Sequence, residues 1–598
     1  MPQFNSRHGK REQTFFLRNF PDGLNKEISA PALPPTTLTK CKNMKYLFNQ
    51  SVDGQKVVIL KKRQGTIKIS SSAIGSAVLA ETYYVADAHY IIATDAALYE
   101  LDPVTFAPSG SLGSLSGTPT FTEFNGKLII HDSGVTKNWD GTTFAAIGGT
   151  HTDEIIGTGD NFGTAAFSGT LQSPPITAGS LVITFTDSTG RTMTDNGAGA
   201  FTGYGTGTIN YTTGAWTITA TGAPDNLTSI YATYTTTAGA PKSKAGFVRG
   251  SRLYLWGDSD YPSRLWYSAP NDETSWEGYI DVDPLDGYSI ISCLNYFQSI
   301  VVIKGNSLHR INDYPGDATF SVQPLMRDVG GIAYRACLST NNQLTFLTAK
   351  NGWLAMQPTQ QYGDISQTIN ISAKARSEIS ASANLNAYVE HNQIDNQLWL
   401  TLFSASTQLP EIYVVNMETG GQLGIYEFAF SHTSYKFANG EMLIGGSDGN
   451  LYRLCHDNEK YTDNAVSYSD DTFIRGTMTD FAMPFNRKHN KKITLYCYGK
   501  AGMTGTLNIY TDNNYVTPLY TKAIDLSGSR LSIFYDGPSY RIFDMSTMRI
   551  GAENIGAQDT RMHAKFNYRE LTFEVASIAG ASGAEFYGVD FVSAVIGD

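Results

Sequence analysis

Charge is thin in this sequence, cysteine thinner, and long apolar runs are missing. Asp, Glu, Lys and Arg make up 17% of the 598 residues, against roughly a quarter in ordinary soluble domains. Helix-rich proteins carry more Glu, Lys, Leu and Ala on their exposed faces. The five cysteines (Cys41, Cys293, Cys337, Cys455 and Cys497) are odd in number, far apart and never paired as CxxC. A disulfide framework and a thiolate zinc site are therefore not expected. Ten histidines are scattered without an HExxH or a pair at ligand spacing, so no metal or other cofactor is expected. No stretch approaches the roughly eighteen apolar residues of a membrane helix. The polar, basic opening (residues 1–13) leads to Phe15-Phe16-Leu17, broken at once by Arg18, which is not the order of a signal peptide. We expect synthesis in a cytoplasm and no membrane insertion. A net charge of −11 argues against a chain that grips nucleic acid, which needs clustered Lys and Arg. It suits a wall past which DNA slides, and it equally suits ordinary solubility.

What is abundant is β-forming: 34 Tyr, 30 Phe, 57 Gly and much Thr and Ser. A unit recurs along the chain: a turn of Asn-Gly or Asp-Gly type, an alternating apolar strand, a second turn, and a strand ending in Leu-Tyr, Leu-Trp or a near equivalent. It is read at 90–101, 124–141, 249–267, 296–311, 341–356, 396–415 and 437–454. Asn-Gly and Asp-Gly supply the positive φ angles of two-residue hairpin turns. A hairpin alone cannot bury its apolar face, whereas blades stacked radially can, and the spacing suits four short strands each. The expected fold is all-β: a β-propeller of six to eight blades with an inserted β-sandwich module and a C-terminal β-sandwich domain. A stack of sandwich domains is the alternative.

The repeat is interrupted between Gly149 and Pro241 by a Gly- and Thr-rich stretch with period-two alternation, as in Ala215-Trp216-Thr217-Ile218-Thr219. The domains expected are an N-terminal arm with first strands docking on the propeller or platform (1–68), first blades (69–148), the inserted module (149–242), remaining blades (243–455) and a C-terminal platform (456–598). The polar stretch 456–471 reads as a linker. The helix candidate is 372–385.

Motifs that suggest chemistry each have a plainer reading. Gly445-Gly446-Ser447-Asp448-Gly449 fits GxSxG, but a nucleophile elbow joins a strand to a helix, and Asn450-Leu451-Tyr452-Arg453-Leu454 reads as a strand. Asp281, Asp283 and Asp286 resemble a calcium loop, yet Pro284 interrupts it and no Glu closes it. Gly157, Gly159 and Gly163 are loop glycines, not a phosphate cradle. The basic clusters Arg487-Lys488-His489 with Lys491-Lys492, and Lys61-Lys62-Arg63, read as solvated surface, or as contacts to an acidic neighbour or DNA. Tyr83-Tyr84 and Trp353 read as blade core. No residue is assigned a catalytic, cofactor-binding or metal-binding role.

Phe20-Pro21-Asp22-Gly23-Leu24-Asn25, Ala32-Leu33-Pro34-Pro35, Cys41-Lys42-Asn43-Met44 and Leu60-Lys61-Lys62-Arg63-Gln64-Gly65 together resemble the start of bacteriophage tail nozzle and tail hub proteins of short-tailed phages, the tail tubular protein B-like family. The likeness continues through Tyr267-Ser268, Asp272, Trp276, Tyr279-Ile280-Asp281-Val282-Asp283, Asp286-Gly287-Tyr288-Ser289-Ile290 and Val301-Val302-Ile303-Lys304. The insertion resembles a small β-module of phage tail proteins through Pro175-Ile176, Gly179-Ser180, Asp195-Asn196-Gly197-Ala198-Gly199, Gly207-Thr208-Ile209-Asn210-Tyr211, Gly214 and Ala223-Pro224. Asp22 stands where many relatives have a second glycine. The resemblance implies a non-enzymatic virion protein: a homohexameric ring beneath portal and adaptor, with a propeller per subunit around a DNA channel. Its partners would be other copies of itself, adaptor or portal-side proteins, tail fibres or spikes, and passing double-stranded DNA without sequence-specific binding. It would retain the genome and release it on infection. A virion-associated propeller that binds or degrades glycans through paired carboxylates is the alternative.

Overall fold

The computed structural model describes residues 12–596 except 51–55, 161, 172–173, 237–238, 313–319, 359–365, 404–409, 419–420, 456–460, 467–471, 500–502, 513, 526–530, 537–538, 545–557, 563 and 580–583. The protein is almost entirely β. Among the described residues seven antiparallel blades of four strands follow one another, six as separate four-stranded sheets and blade 6 as part of a larger one: blade 1 (78–114), blade 2 (120–146), blade 3 (245–281), blade 4 (290–327), blade 5 (337–370), blade 6 (388–426) and blade 7 (432–454). Blade 7 supplies only three strands of its own, and its fourth is Thr66–Lys68 from the N-terminal arm, paired antiparallel through Tyr452↔Lys68 and Leu454↔Thr66. A strand from the arm thus completes the last sheet, and the fold is a β-propeller with seven blades among the described residues.

Each unit expected from the sequence lies in one blade. The turns show why. Asn125-Gly126 and Asn439-Gly440 both hold positive φ at both positions (56° and 71°, 50° and 73°), the geometry of the tight hairpin. Second strands such as Ser299–Lys304 are buried at every position, and Ile300 and Val302 share one core with Tyr254, Trp256 and Leu265 of blade 3.

The chain divides into two compact units, with boundaries at Glu81/Thr82 and Gly330/Gly331. The unit spanning 82–330 holds blades 2 to 4, nearly all of blade 1, and the inserted module. That module pairs a five-stranded sheet with a three-stranded one around Phe185, Met193, Trp216, Ile218 and Tyr234. In Ala215–Ala220 exposed and buried residues alternate strictly. At its base the two crossing strands are tied by Thr236 N–H to Gly149 O at 2.7 Å and Gly149 N–H to Thr236 Oγ1 at 3.0 Å. A Cβ on Gly239 would lie 1.9 Å from the Gly149 nitrogen, so only glycine fits this crossing.

The other unit holds blades 5 to 7, the N-terminal arm and a C-terminal two-sheet domain. The arm is built into both of that domain's sheets. Glu12–Arg18 pairs with Ala584–Ile596, and the hairpin of Met44–Gln50 with Lys56–Lys62 joins the same strand through Leu60↔Phe586. Thr37–Lys42 lies between blade 6 and Phe473–Gly476, so blade 6 continues into the second sheet of the C-terminal domain as one ten-stranded sheet. Phe15 stacks on Phe481 at 4.4 Å, and Phe20 lies between Phe573 and Phe586. The stretch read as a linker is partly described, at 461–466, and there it is anchored: Asp463 is 1% exposed. Residues 456–460 and 467–471 lie outside the described residues. The helix is Arg376–Ser382, shorter than the sequence suggests, because Ser372 instead gives its hydroxyl to Asn370 and accepts from Trp353 N–H.

Candidate functional site

The motifs singled out in the sequence resolve into structural parts. Gly445 and Gly446 end the strand Glu441–Gly446, and Leu451–Leu454 follows, so Ser447 sits in a strand-to-strand turn. In the acidic loop a lysine ammonium takes the place a calcium ion would hold: Lys304 Nζ reaches Val282 O and Asp283 O at 2.8 Å and Asp286 Oδ1 at 2.6 Å, and Lys304 is fully buried. Gly157 lies in the strand Thr150–Thr158. Trp353 is buried in the core and Tyr83 packs on Tyr90 at 5.0 Å. All five cysteines are buried, and burial pushes the Cys41 thiol up to about 12.

The basic clusters are solvated only in part: Arg487 is exposed and the Lys491 side chain is 42% exposed, whereas Lys488, Lys62 and Arg63 are buried. Lys488 is fully buried, and its ammonium donates to Met483 O, Asn486 O and Arg569 O. Lys491 pairs with Glu12, and Lys61 pairs with Glu585 at 3.4 Å. Lys62 is 1% exposed, and burial first, with Arg63 second, lowers its ammonium to about 8.

Arg63 forms the centre of a densely bonded polar joint. Its Nε donates to Asn43 Oδ1 at 2.9 Å, Nη1 to Gln64 O at 2.9 Å and Asp463 Oδ1 at 3.0 Å, and Nη2 to Glu427 O at 2.6 Å and Asp463 Oδ2 at 2.5 Å. All five guanidinium N–H groups are thus accepted, with Phe428 beneath the plane at 4.7 Å. Asp463 also accepts from Thr66 Oγ1 and Ala429 N–H. Asn43, held at φ 57°, links the same joint to Ile425 and Glu427. One site therefore fastens the arm, the blade 6 to blade 7 connection and the segment after blade 7.

A second polar cluster gathers the first strands of blades 1, 6 and 7. Glu81 lies within the first strand of blade 1, Ser434 belongs to blade 7, Glu390 to blade 6, and Arg335 stands just before blade 5. Ser434 donates its hydroxyl to Glu81, while Glu81 Oε1 has no hydrogen-bond partner. Lys436 pairs with Glu390 at 2.9 Å, and Arg335 donates to Leu79 O at 3.2 Å with its guanidinium 5.0 Å from the Tyr388 ring centre. Burial raises the Glu81 carboxyl to about 7.

No protein-family model and no curated protein matches the sequence. Among solved structures the chain is similar to Sqt1 of Saccharomyces cerevisiae, at 11% identity and a TM-score of 0.30, over 69% of this chain and 100% of that one. It is similar to YCF48 bound to a D1 peptide, at 8% identity and a TM-score of 0.32, over 66% of this chain and 96% of that one. It is also similar to Hsv2 of Kluyveromyces lactis, at 9% identity and a TM-score of 0.24, over 42% and 66%. At these values the likeness carries nothing about function, and the architecture rests on the sheets themselves.

Proposed function

We propose that this chain is a structural, non-enzymatic subunit of a bacteriophage tail, the nozzle or hub, which closes with further copies into a hexameric ring that continues the DNA channel. The ring retains the genome, lets it pass on infection, meets the adaptor or portal on one side and offers its outer face to fibres or spikes. The observation that carries this reading is the use made of the residues that bear the family likeness. Phe20 and Leu24 fill the C-terminal core. Gly23 turns at φ 63°. Asn43 and Arg63 form the buried joint. A Cβ on Gly65 would lie 2.1 Å from Thr462 O. Asp286 holds Lys304, and Asp195 organises the inserted module. What is shared is a set of joints and not a set of reactive groups, and joints are what a protein needs if its task is to hold a wall in shape while copies close around a channel.

The test is negative-stain microscopy and native mass measurement of the purified chain, alone and mixed with portal and adaptor. Closed rings of one stoichiometry are expected. Monomers under every condition would overturn the proposal.

A further inference from the structure

Blade 1 carries a group of side chains that no sequence motif marks. The first strand, Val78–Tyr84, turns back into His89–Thr94 through residues 85–88, with Ala88 at φ 57° and its N–H bonded to Val85 O. His89 and Ile91 share one face of their strand, and Ile91 is directly opposite Glu100 on Ala97–Leu101, so His89 and Glu100 are diagonal neighbours on that face. Asp87 reaches the same point from the turn. The turn at Gly141 in blade 2 packs against Asp87, where a Cβ would meet the Asp87 carboxyl carbon at 3.3 Å.

His89 Nδ1 stands 3.4 Å from Asp87 Oδ2 and 3.2 Å from Glu100 Oε1, and one ligand atom from each of the three residues lies within 4.8 Å of the others. In a tetrahedral site with bonds of about 2.0–2.1 Å, ligand atoms stand about 3.3–3.4 Å apart. The three side chains are 33%, 29% and 19% exposed, so an ion can enter and water can take a fourth position. Imidazole with two carboxylates suits zinc and the neighbouring first-row divalent ions. The second such group, Asp283, Asp286 and His309, is already served by the Lys304 ammonium.

We propose that Asp87, His89 and Glu100 form a binding site for a divalent transition metal of the zinc class, which clips the first turn of blade 1 to its third strand. Without metal, His89 Nδ1 lies 2.6 Å from the Asp87 carbonyl. The ion takes the lone pair of that nitrogen and the single ring proton sits on the other one, so a neutral imidazole gives up no proton on binding.

The test is calorimetric titration of the full-length, chelator-treated protein with zinc chloride. One equivalent is expected, and His89→Ala and Glu100→Gln should each weaken it at least about tenfold. Hydrogen exchange on the unmutated protein reads the location independently of whether the variants fold. Zinc should slow exchange at 85–89 and 98–102. No binding at millimolar zinc, binding undiminished in both folded variants, or protection confined to other segments would overturn the proposal.

Discussion

Arg63 and Asp463 are 400 positions apart in the chain and meet as a two-pronged ion pair whose side chains are 2% and 0% exposed. Removing one partner of such a pair leaves a buried charge without its counterpart, which costs about 3–5 kcal/mol. Asp463→Asn and Arg63→Met should each lower the unfolding free energy by that order in a urea titration. Arg63→Lys keeps the charge but cannot fill a planar five-donor joint and should lose about 2 kcal/mol or more. The double variant Arg63→Met/Asp463→Leu should lose less than the sum of the single losses, because the two residues share one set of bonds.

That joint also marks where the sequence stops being readable. The blades were legible because each is local: Asn125-Gly126 or Asn439-Gly440 fixes a turn within a few residues, and flanking alternation fixes the strands. The inserted module was legible for the same reason at Ala215–Ala220. The pairing of Glu12–Arg18 with Ala584–Ile596 leaves no local trace, since each strand's pattern fits many partners. Lys62 and Arg63 looked like surface because burial of a charge depends on a partner supplied from a distant segment. Asp87, His89 and Glu100 were invisible for a related reason: hairpin register, not spacing in the chain, brings them together.

Glu81 predicts a pH dependence of one sign. Its carboxyl is raised from 4.5 to about 7 by burial, so the folded chain holds that proton more tightly than the unfolded one. The stabilisation is complete below about pH 4.5, declines as pH rises, and is lost above about 7, an effect of roughly 3 kcal/mol at most. Ser434, Arg335, Glu390 and Lys436 face the same group and moderate it. Glu81→Gln keeps the shape and removes the titration. Its urea midpoint should match that of the unmodified chain at pH 4.5 and exceed it at pH 8.

His131 and His432 predict the opposite slope. Both are fully buried, and desolvation lowers each from 6.5 to about 3. The neutral rings are satisfied, His131 by Ser243 and Thr122, and His432 by Thr401. Unfolding therefore takes up protons below about 6.5, and between pH 6.5 and 4.5 each histidine should withdraw roughly 3 kcal/mol. Melting temperatures of the unmodified chain should fall through this range. His131→Gln should flatten the fall, and Glu81→Gln should steepen it, since the Glu81 contribution then no longer opposes it.

Asp195 and Tyr211 govern the inserted module. The Asp195 carboxylate accepts Gly179 N–H at 2.6 Å, Gly197 N–H at 3.0 Å and the Tyr211 hydroxyl at 2.6 Å, and that hydroxyl oxygen in turn accepts Gly199 N–H at 2.7 Å. Gly179, Gly197 and Gly199 hold φ of 80°, 76° and 87°, so these loops gain little from regular pairing and depend on the carboxylate and phenol for satisfied amides. Tyr211→Phe strands the Gly199 amide and should cost about 1–3 kcal/mol, with faster exchange at Gly199. Asp195→Ala strands the amides of Gly179 and Gly197 together and should cost more, with exchange rising at both. Amides of Ser299–Lys304 in blade 4 should be unchanged in either variant, because their partners are in neighbouring strands of that blade. Equal acceleration in the module and in blade 4 would mean that the two unfold as one, and the local role of Asp195 would fail.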